Sequence, residues 1–384
     1  MIIRTIVYIE RNHQMESKFT FTKQNTLAVK GIAILMLLVY HCFSSTTRMR
    51  GQDISFAPIS MALGIEISLL CVHCVGIFLF LSAYGLTLSM KAEFAKFQFN
   101  AHEATLFAIK RYLKLFFMFA LPFIFCTAIT LATDTSRYSN GPLANATGLV
   151  TDFFGLSEFF GTEMLNTTWW YLSMEVLLIF FLPLLILLYK KCGWLIVVMT
   201  LIIGSLAGRN NLHMTIYFLN IPLGICFADQ HVLERLKAWS PVKSRTAGKA
   251  IKFLVSSLAL LACLRLYASD WGEAHFDFVL RGAIAVLIVY WSYEFLIELP
   301  VIKPVLEYLG KHSAMIFYVH SFVRTLWIGD FTYSLGHAGI ILLFVLAGSL
   351  ALSIFLEFVK KLVYYNQFTG RLTNSILGWA DRTL

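Results

Sequence analysis

Long apolar blocks run through most of this chain, and the segments between them are short and hold most of the charge. Of the 384 residues, 58% are hydrophobic and only 14% are charged, whereas soluble domains contain about 25% charged residues. Blocks of about 20 apolar residues have the length that a helix needs to cross a bilayer. The sequence therefore predicts an all-α polytopic membrane protein without a separate soluble domain.

Ten transmembrane helices can be placed on these blocks, at residues 27–45, 60–90, 106–132, 169–189, 193–208, 213–229, 251–269, 277–297, 312–329 and 337–359. Lys and Arg concentrate between alternate blocks, which is typical of cytoplasmic loops. With ten spans, the five basic segments share one side, so both termini are expected to be cytoplasmic. We expect a cytoplasmic segment over residues 1–26, a transmembrane domain over 27–360 and a cytoplasmic tail over 361–384.

The sequence does not favour a nucleic-acid binder, a disulfide-stabilised fold or a metal site. The net charge of +9 would suit a nucleic-acid binder, but the basic residues lie where topology determinants lie. The seven cysteines fall within or beside apolar blocks, and their odd number does not suit a disulfide framework. Cys71-Val-His-Cys74 resembles half of a zinc site, but no second cluster completes it, so no metal is expected.

Lys30 and His41 are two ionisable residues within the first apolar block. Eleven residues of α-helix return almost to the starting angle, so both side chains lie on one face, roughly 16 Å apart along the axis. Because ionisable groups are costly in lipid, they indicate a polar path through protein. With the N-terminus inside, Lys30 lies near the inner surface and His41 in the outer half.

Glu175 lies six residues into the fourth block, which enters from the opposite side, so its depth matches that of His41. A carboxylate that accepts a proton from one imidazole nitrogen makes the other nitrogen a better base. The pair would then activate a hydroxyl nucleophile. The alternative is structural: each residue would hydrogen-bond neighbouring helices and take no part in chemistry.

A second cluster opens the third block, where Lys110 and Lys114 share a helix face and Arg111 lies beside them. Together with Lys30 these residues can form a phosphate-binding pocket. Basic residues at cytoplasmic helix ends also set topology and contact anionic lipids, and this reading is favoured by spacing alone. His320, in the ninth block, is a further candidate for the polar path or for structural packing.

The chain resembles the acyltransferase 3 family of polytopic membrane acyltransferases. Five segments resemble the family's motifs in the family's order: Lys30 to His41, Gly76 to Gly85, Lys110 to Lys114, Trp169 to Glu175 and Leu309 to His320. The chain departs from the pattern where Lys30, Lys110 and Lys114 replace arginines, which keeps the charge but loses the bidentate fork. Ala83 replaces a common glycine, and the proline expected soon after Lys114 appears only at Pro122.

The resemblance implies transfer of an acyl group, usually acetyl, from cytoplasmic acyl-coenzyme A to a hydroxyl of a cell-surface or lipid-linked glycan. It places His41 as general base or transient acyl carrier, with Glu175 orienting it. Lys30, Lys110, Arg111 and Lys114 would bind the donor, and Ser82, Trp170 and His320 would line the path. No cofactor is expected to be permanently bound. The resemblance also implies the cytoplasmic (inner) membrane of a bacterium.

Other functions remain open on the sequence alone. A transporter or flippase of an anionic solute or glycolipid would use the same buried charges without covalent chemistry, although the paired broken helices of many transporters are not evident. A receptor or scaffold is disfavoured by the buried ionisable residues. A third possibility is an acyltransferase fold made inactive by Lys30.

Overall fold

The computed structural model describes residues 20–133, 142–207 and 214–384, and these residues are largely helical, with no β-strand among them. The α-helices are α1 Lys23–Phe43, α2 Met61–Leu70, α3 Cys74–Glu93, α4 Ala101–Thr133, α5 Pro142–Phe153, α6 Ser157–Phe160, α7 Trp170–Cys192, α8 Leu195–Ala207, α9 Asn220–Asp229, α10 Val232–Ala238, α11 Arg245–Tyr267, α12 Asp270–Trp291, α13 Ile302–Ser321, α14 Gly329–Ser334, α15 Ala338–Leu362 and α16 Tyr365–Thr383. The prediction of an all-α polytopic membrane protein is confirmed.

Within these ranges, seven helical segments are long and apolar enough to cross a membrane: Lys23–Phe43, Met61–Glu93, Ala101–Thr133, Thr167–Cys192, Arg245–Tyr267, Asp270–Leu296 and Ala338–Leu362. An eighth crossing results if Thr215–Asp229 and Val232–Ala238, which meet at a 62° bend, count as one span. Of the ten predicted spans, 193–208 overlaps the short α8, and 312–329 overlaps the second half of α13 and the π-helix Phe322–Leu326 that follows it. The count of ten and the cytoplasmic termini stay predictions.

The described residues divide into two compact units. The first contains residues 20–33, His73–Leu88 and Leu188–Lys311; the second contains Ile34–Val72, Ser89–Leu187 and His312–Leu384, with 134–141 outside the description. These two units do not coincide with the predicted division into terminal segments, 1–26 and 361–384, and a transmembrane domain between them. That division describes topology, and it stays a prediction. Each unit has its own packing.

Reciprocal glycine contacts hold α1 against α13 in the first unit. A Cβ atom added at Gly31 would overlap the backbone carbonyl of Leu306, and one added at Gly310 would overlap that of Leu27. Small residues let helix backbones approach closely in a membrane, where packing replaces the hydrophobic drive between helices. Gly31 directly follows Lys30, so this contact also sets the position of the predicted donor-side lysine.

The first unit also carries an ionic network near the end of α12. Lys252 and Glu294, both buried, form an ion pair at 2.6 Å, and Lys237 lies 2.8 Å from Glu298. Burial by itself would raise the pKa of Glu298, but hydrogen bonds from Lys237 and Lys249 outweigh it and lower the pKa below its ordinary value. Several basic residues that the sequence analysis interpreted as topology determinants therefore form ion pairs in this network.

An aromatic core organises the second unit. Trp169 is buried among Phe119, Phe123 and Phe322, and its indole nitrogen donates to the carbonyl of Tyr318 at 3.1 Å. This hydrogen bond joins the start of α7 to α13 and satisfies a polar atom that burial would otherwise leave unpaired. It therefore fixes the segment bearing Glu175 relative to the segment bearing His320.

We expect Gly310→Ala to destabilise the protein, because the new methyl group meets backbone and not a flexible side chain. Overpacking of this kind costs about 1–3 kcal/mol, which thermal unfolding in detergent would show as a lower Tm. Gly370→Ala is the matched control, since nothing lies within 4 Å of its Cβ position in α16 and alanine favours a helix. An unchanged Tm for Gly310→Ala would contradict the close crossing.

Candidate active site

His41 lies in the last turn of α1, half-buried, with a defined hydrogen-bond partner. Its Nδ1 atom lies 2.8 Å from a terminal guanidinium nitrogen of Arg48. An arginine stays protonated in proteins and only donates, so Nδ1 must accept, and neutral His41 carries its proton on Nε2. The contact thus determines the tautomer of the residue that the sequence placed first among catalytic candidates.

Arg48 is positioned by the turn that follows α1. Its backbone nitrogen donates to the carbonyl and to the hydroxyl of Ser45, at 3.1 and 3.2 Å. Its guanidinium lies 4.9 Å from the centre of the Tyr40 ring, and the same ring meets His41 edge-on at 5.3 Å. A cation over an aromatic face is attracted by the ring quadrupole, so Tyr40 holds Arg48 against His41.

His320 meets His41 although the chain separates them by most of the sequence. Their ring centres are 5.1 Å apart, and His320 is fully buried at the end of α13. Its Nδ1 lies 2.9 Å from the carbonyl of Phe317 and 3.2 Å from that of Ile316. Because carbonyls only accept, Nδ1 carries the proton, and the lone pair lies on Nε2.

Arg324 completes a group of two arginines and two histidines. It lies on the π-helix Phe322–Leu326, which directly follows α13, and it interacts electrostatically with His41, His320 and Arg48. Its guanidinium hydrogen-bonds the hydroxyl of Tyr333. A π-turn inserts one extra residue and is frequent at functional sites.

Arg48 and Arg324 are absent from the residues that sequence reasoning selected. Each follows a selected histidine, at seven and at four residues respectively. An arginine four residues after His320 would share its helix face, and this spacing is the signal that was available. For Arg48 the sequence offers no comparable signal, because it lies in a turn and not on a helix.

Glu175 lies half-buried on α7 and accepts a hydrogen bond from the hydroxyl of Tyr171, one turn earlier. The Tyr171 ring packs edge-on against Phe317 at 5.7 Å, and Phe317 lies 6.3 Å from His320. This row of rings leads from the carboxylate to the two histidines. Direct pairing of Glu175 with His41 stays a prediction.

The predicted donor-side cations are divided between the two units. In the second unit, Glu93 lies 3.3 Å from Lys110 and 3.8 Å from Arg111, and Arg111 also lies over the Phe107 ring at 4.9 Å. Lys114 is exposed on the same helix. Glu93 therefore offsets part of the positive charge that the sequence assigned to phosphate binding.

The remaining predicted residues lie on three different helices and are all half-buried. Lys30 belongs to α1 and Ser82 to α3, both in the first unit. Trp170 begins α7 in the second unit and meets Tyr171 edge-on at 6.1 Å. Their assignment to donor binding and to the polar path stays a prediction.

Comparison with known proteins gives one match. Residues 28–357 match a family model described as an acyltransferase domain. The match begins two residues before Lys30, ends inside α15, and contains all nine site residues predicted from the sequence. No curated protein and no solved structure matches the chain significantly.

The Arg48 contact predicts a change in the chemical reactivity of His41. Diethylpyrocarbonate acylates the imidazole nitrogen that bears the lone pair, and in His41 Arg48 covers that nitrogen. We expect Arg48→Gln to increase carbethoxylation of His41 several-fold, measured by mass spectrometry, with buried His320 unlabelled in both proteins. Exposed His275 serves as the internal reference for reagent dose. Equal labelling of His41 in both proteins would contradict the contact.

Proposed function

Because this chain belongs to the acyltransferase 3 family of polytopic membrane acyltransferases, we propose that it acylates a glycan hydroxyl. The donor is acyl-coenzyme A, with acetyl as the expected group, and the acceptor is a cell-surface or lipid-linked sugar. The proposed location is the cytoplasmic membrane of a bacterium. The chain is an integral membrane protein, so one bilayer-spanning path would serve a donor and an acceptor on opposite sides.

The contact between His41 and His320 is the observation that carries the proposal. The two imidazole rings lie with their centres 5.1 Å apart; His41 is half-buried and His320 is buried. General-base catalysis needs a proton acceptor within hydrogen-bond reach of the attacking hydroxyl. We assign this role to His41, the less buried of the two, and His320 packs against its ring.

The reaction balances with one proton acceptor and no external reactant. The acceptor hydroxyl gives its proton to His41, its oxygen bonds to the acyl carbon, and the carbon–sulfur bond breaks. The imidazolium then returns the proton to the departing thiolate, which leaves as coenzyme A. In the structure the lone pair of His41 lies on Nδ1, so the hydroxyl must take the place of Arg48 at that atom.

Glu175 is proposed to act as a positioning residue through Tyr171. A carboxylate near developing positive charge stabilises an imidazolium, and the ring row from Tyr171 through Phe317 to His320 gives it a route to the histidine pair. On the donor side, Lys110, Arg111 and Lys114 would bind phosphates of coenzyme A in competition with Glu93. Lys30 is likewise proposed to bind the donor.

We expect His41→Ala to reduce transfer of radiolabelled acetyl groups from acetyl-coenzyme A into membrane glycan. The loss of a general base predicts a decrease of about 10²–10⁴-fold. His102→Ala is the matched control, since His102 contacts Asp381 at 3.4 Å and lies outside the histidine pair. Equal labelling by wild type and His41→Ala would refute the catalytic role. No labelling by either folded protein would favour the transporter or flippase alternative.

Two variants at the start of α4 test the donor site in opposite directions. Arg111→Ala should raise the KM for acetyl-coenzyme A and leave the KM for the acceptor unchanged. Glu93→Gln should lower the KM for acetyl-coenzyme A, because it removes the carboxylate that competes with the phosphates. Arg371→Ala, an exposed change on α16, controls for a general loss of positive charge. An unchanged donor KM in both test variants would remove this cluster from donor binding.

A further inference from the structure

Two arginines, Arg48 and Arg324, flank His41 and His320, and within the described part of the chain no carboxylate is among the charged groups that act on either histidine or on Arg48. The charged groups that act on His41 are His320, Arg324 and Arg48, and those that act on His320 are the two arginines. Arg48 is influenced by phenols and by Arg324. Two guanidinium groups gathered in this way repel one another, so the protein holds them together at a cost.

Arg324 also has an unused hydrogen-bond donor. Its Nε atom is buried and has no partner in the described structure. A buried donor without an acceptor is destabilising by about 1–3 kcal/mol, and more when the group is charged. An orphaned guanidinium N–H beside two imidazoles therefore indicates a site that is completed by a ligand with acceptor atoms.

The surrounding contacts make the site rigid. The Tyr333 hydroxyl, which bonds Arg324, donates to the carbonyl of Cys42 at 3.1 Å, next to His41. Thr332 donates to the carbonyl of Val323 at 2.9 Å, which secures the π-helix that carries Arg324. Tyr40 contacts Arg48 and Tyr333 bonds Arg324 before any ligand is present, which lowers the entropy lost when the arginines bind one.

We propose that Arg48 and Arg324 bind an oxyanion, a carboxylate or a phosphate, carried by the acceptor sugar. The inference rests on the proposed function and specifies its acceptor as acidic. Guanidinium groups bind both anions through paired N–H donors. The free Nε of Arg324 supplies one donor, and the terminal nitrogen of Arg48 that now contacts His41 supplies another.

This arrangement couples acceptor binding to the availability of the base. An oxyanion that accepts from Arg48 competes with Nδ1 of His41 for the same N–H donor. When the anion takes that donor, Nδ1 recovers its lone pair and can accept the proton of the acceptor hydroxyl. A neutral sugar would leave Arg48 on His41, so the arginines would determine acceptor specificity as well as affinity.

Ligand-dependent thermal stabilisation of the purified full-length protein tests the site without any need for turnover. Glucuronate and glucose 1-phosphate serve as acidic probes, glucose as the neutral probe, and coenzyme A as the donor-side anion. A ligand that binds only the folded state raises the Tm with its concentration. We expect both acidic sugars to raise the Tm and glucose to leave it unchanged; the larger shift identifies the preferred anion.

Arg324→Gln and Arg48→Gln should each weaken binding of the acidic sugars by about tenfold or more, since each removes a charged hydrogen bond. Arg50→Gln is the matched control, because Arg50 already pairs with Asp330 at 2.7 Å. If Arg324→Gln does not fold, Arg324→Lys keeps the charge but not the Nε donor, and it should bind more weakly than wild type.

The proposal is overturned if glucose and glucuronate stabilise the protein equally, or if both glutamine variants bind glucuronate as wild type does. Stabilisation by coenzyme A that depends on Arg324, without any by the acidic sugars, would assign the arginines to the donor and also overturn it. Because these readouts are binding shifts, they stand apart from acetyl transfer. Failure of His41→Ala to reduce transfer would refute the catalytic role of His41 and the coupling of anion binding to the base, whereas anion binding by the two arginines is decided by the Tm shifts.

Discussion

The hydrogen bond from Arg48 to His41 is the interaction on which the candidate site depends. An arginine can only donate, so the bond sets the tautomer of His41 and occupies its only lone pair. In the proposed mechanism His41 can act as a base only after another acceptor takes the guanidinium N–H of Arg48. Substrate selection and proton transfer would then involve the same pair of atoms, which the contacts with Tyr40 hold together.

Close packing brings the required groups together. The crossing at Gly31 and Gly310 sets α1 against α13 through backbone contact, and those two helices also bear His41 and His320. A π-helix then places Arg324 beyond the regular end of α13. The glycines allow close backbone contact within regular helices, whereas the π-helix departs from α-helical geometry, and both features affect where ionisable side chains lie.

The positive charges at the two predicted substrate-binding regions have different partners. At the start of α4, Glu93 offsets Lys110 and Arg111, so a phosphate donor would bind by displacing a carboxylate. At the histidine pair, no carboxylate of the described residues is among the groups that act on His41, His320 or Arg48.

The sequence by itself determined the helical membrane class, the family, and the common helix of Lys30 and His41, because hydropathy and helical periodicity are local properties. It also selected His320, but it did not indicate that His320 contacts His41. Only the tertiary structure decided that His320 contacts His41 and that Arg48 and Arg324 flank them. Arg48 lies in a turn, which has no period from which a side chain's direction can be read. The four-residue spacing of Arg324 from His320 indicates a shared helix face but not the contact with His41. Contacts between residues hundreds of positions apart depend on how helices pack, which no local pattern encodes.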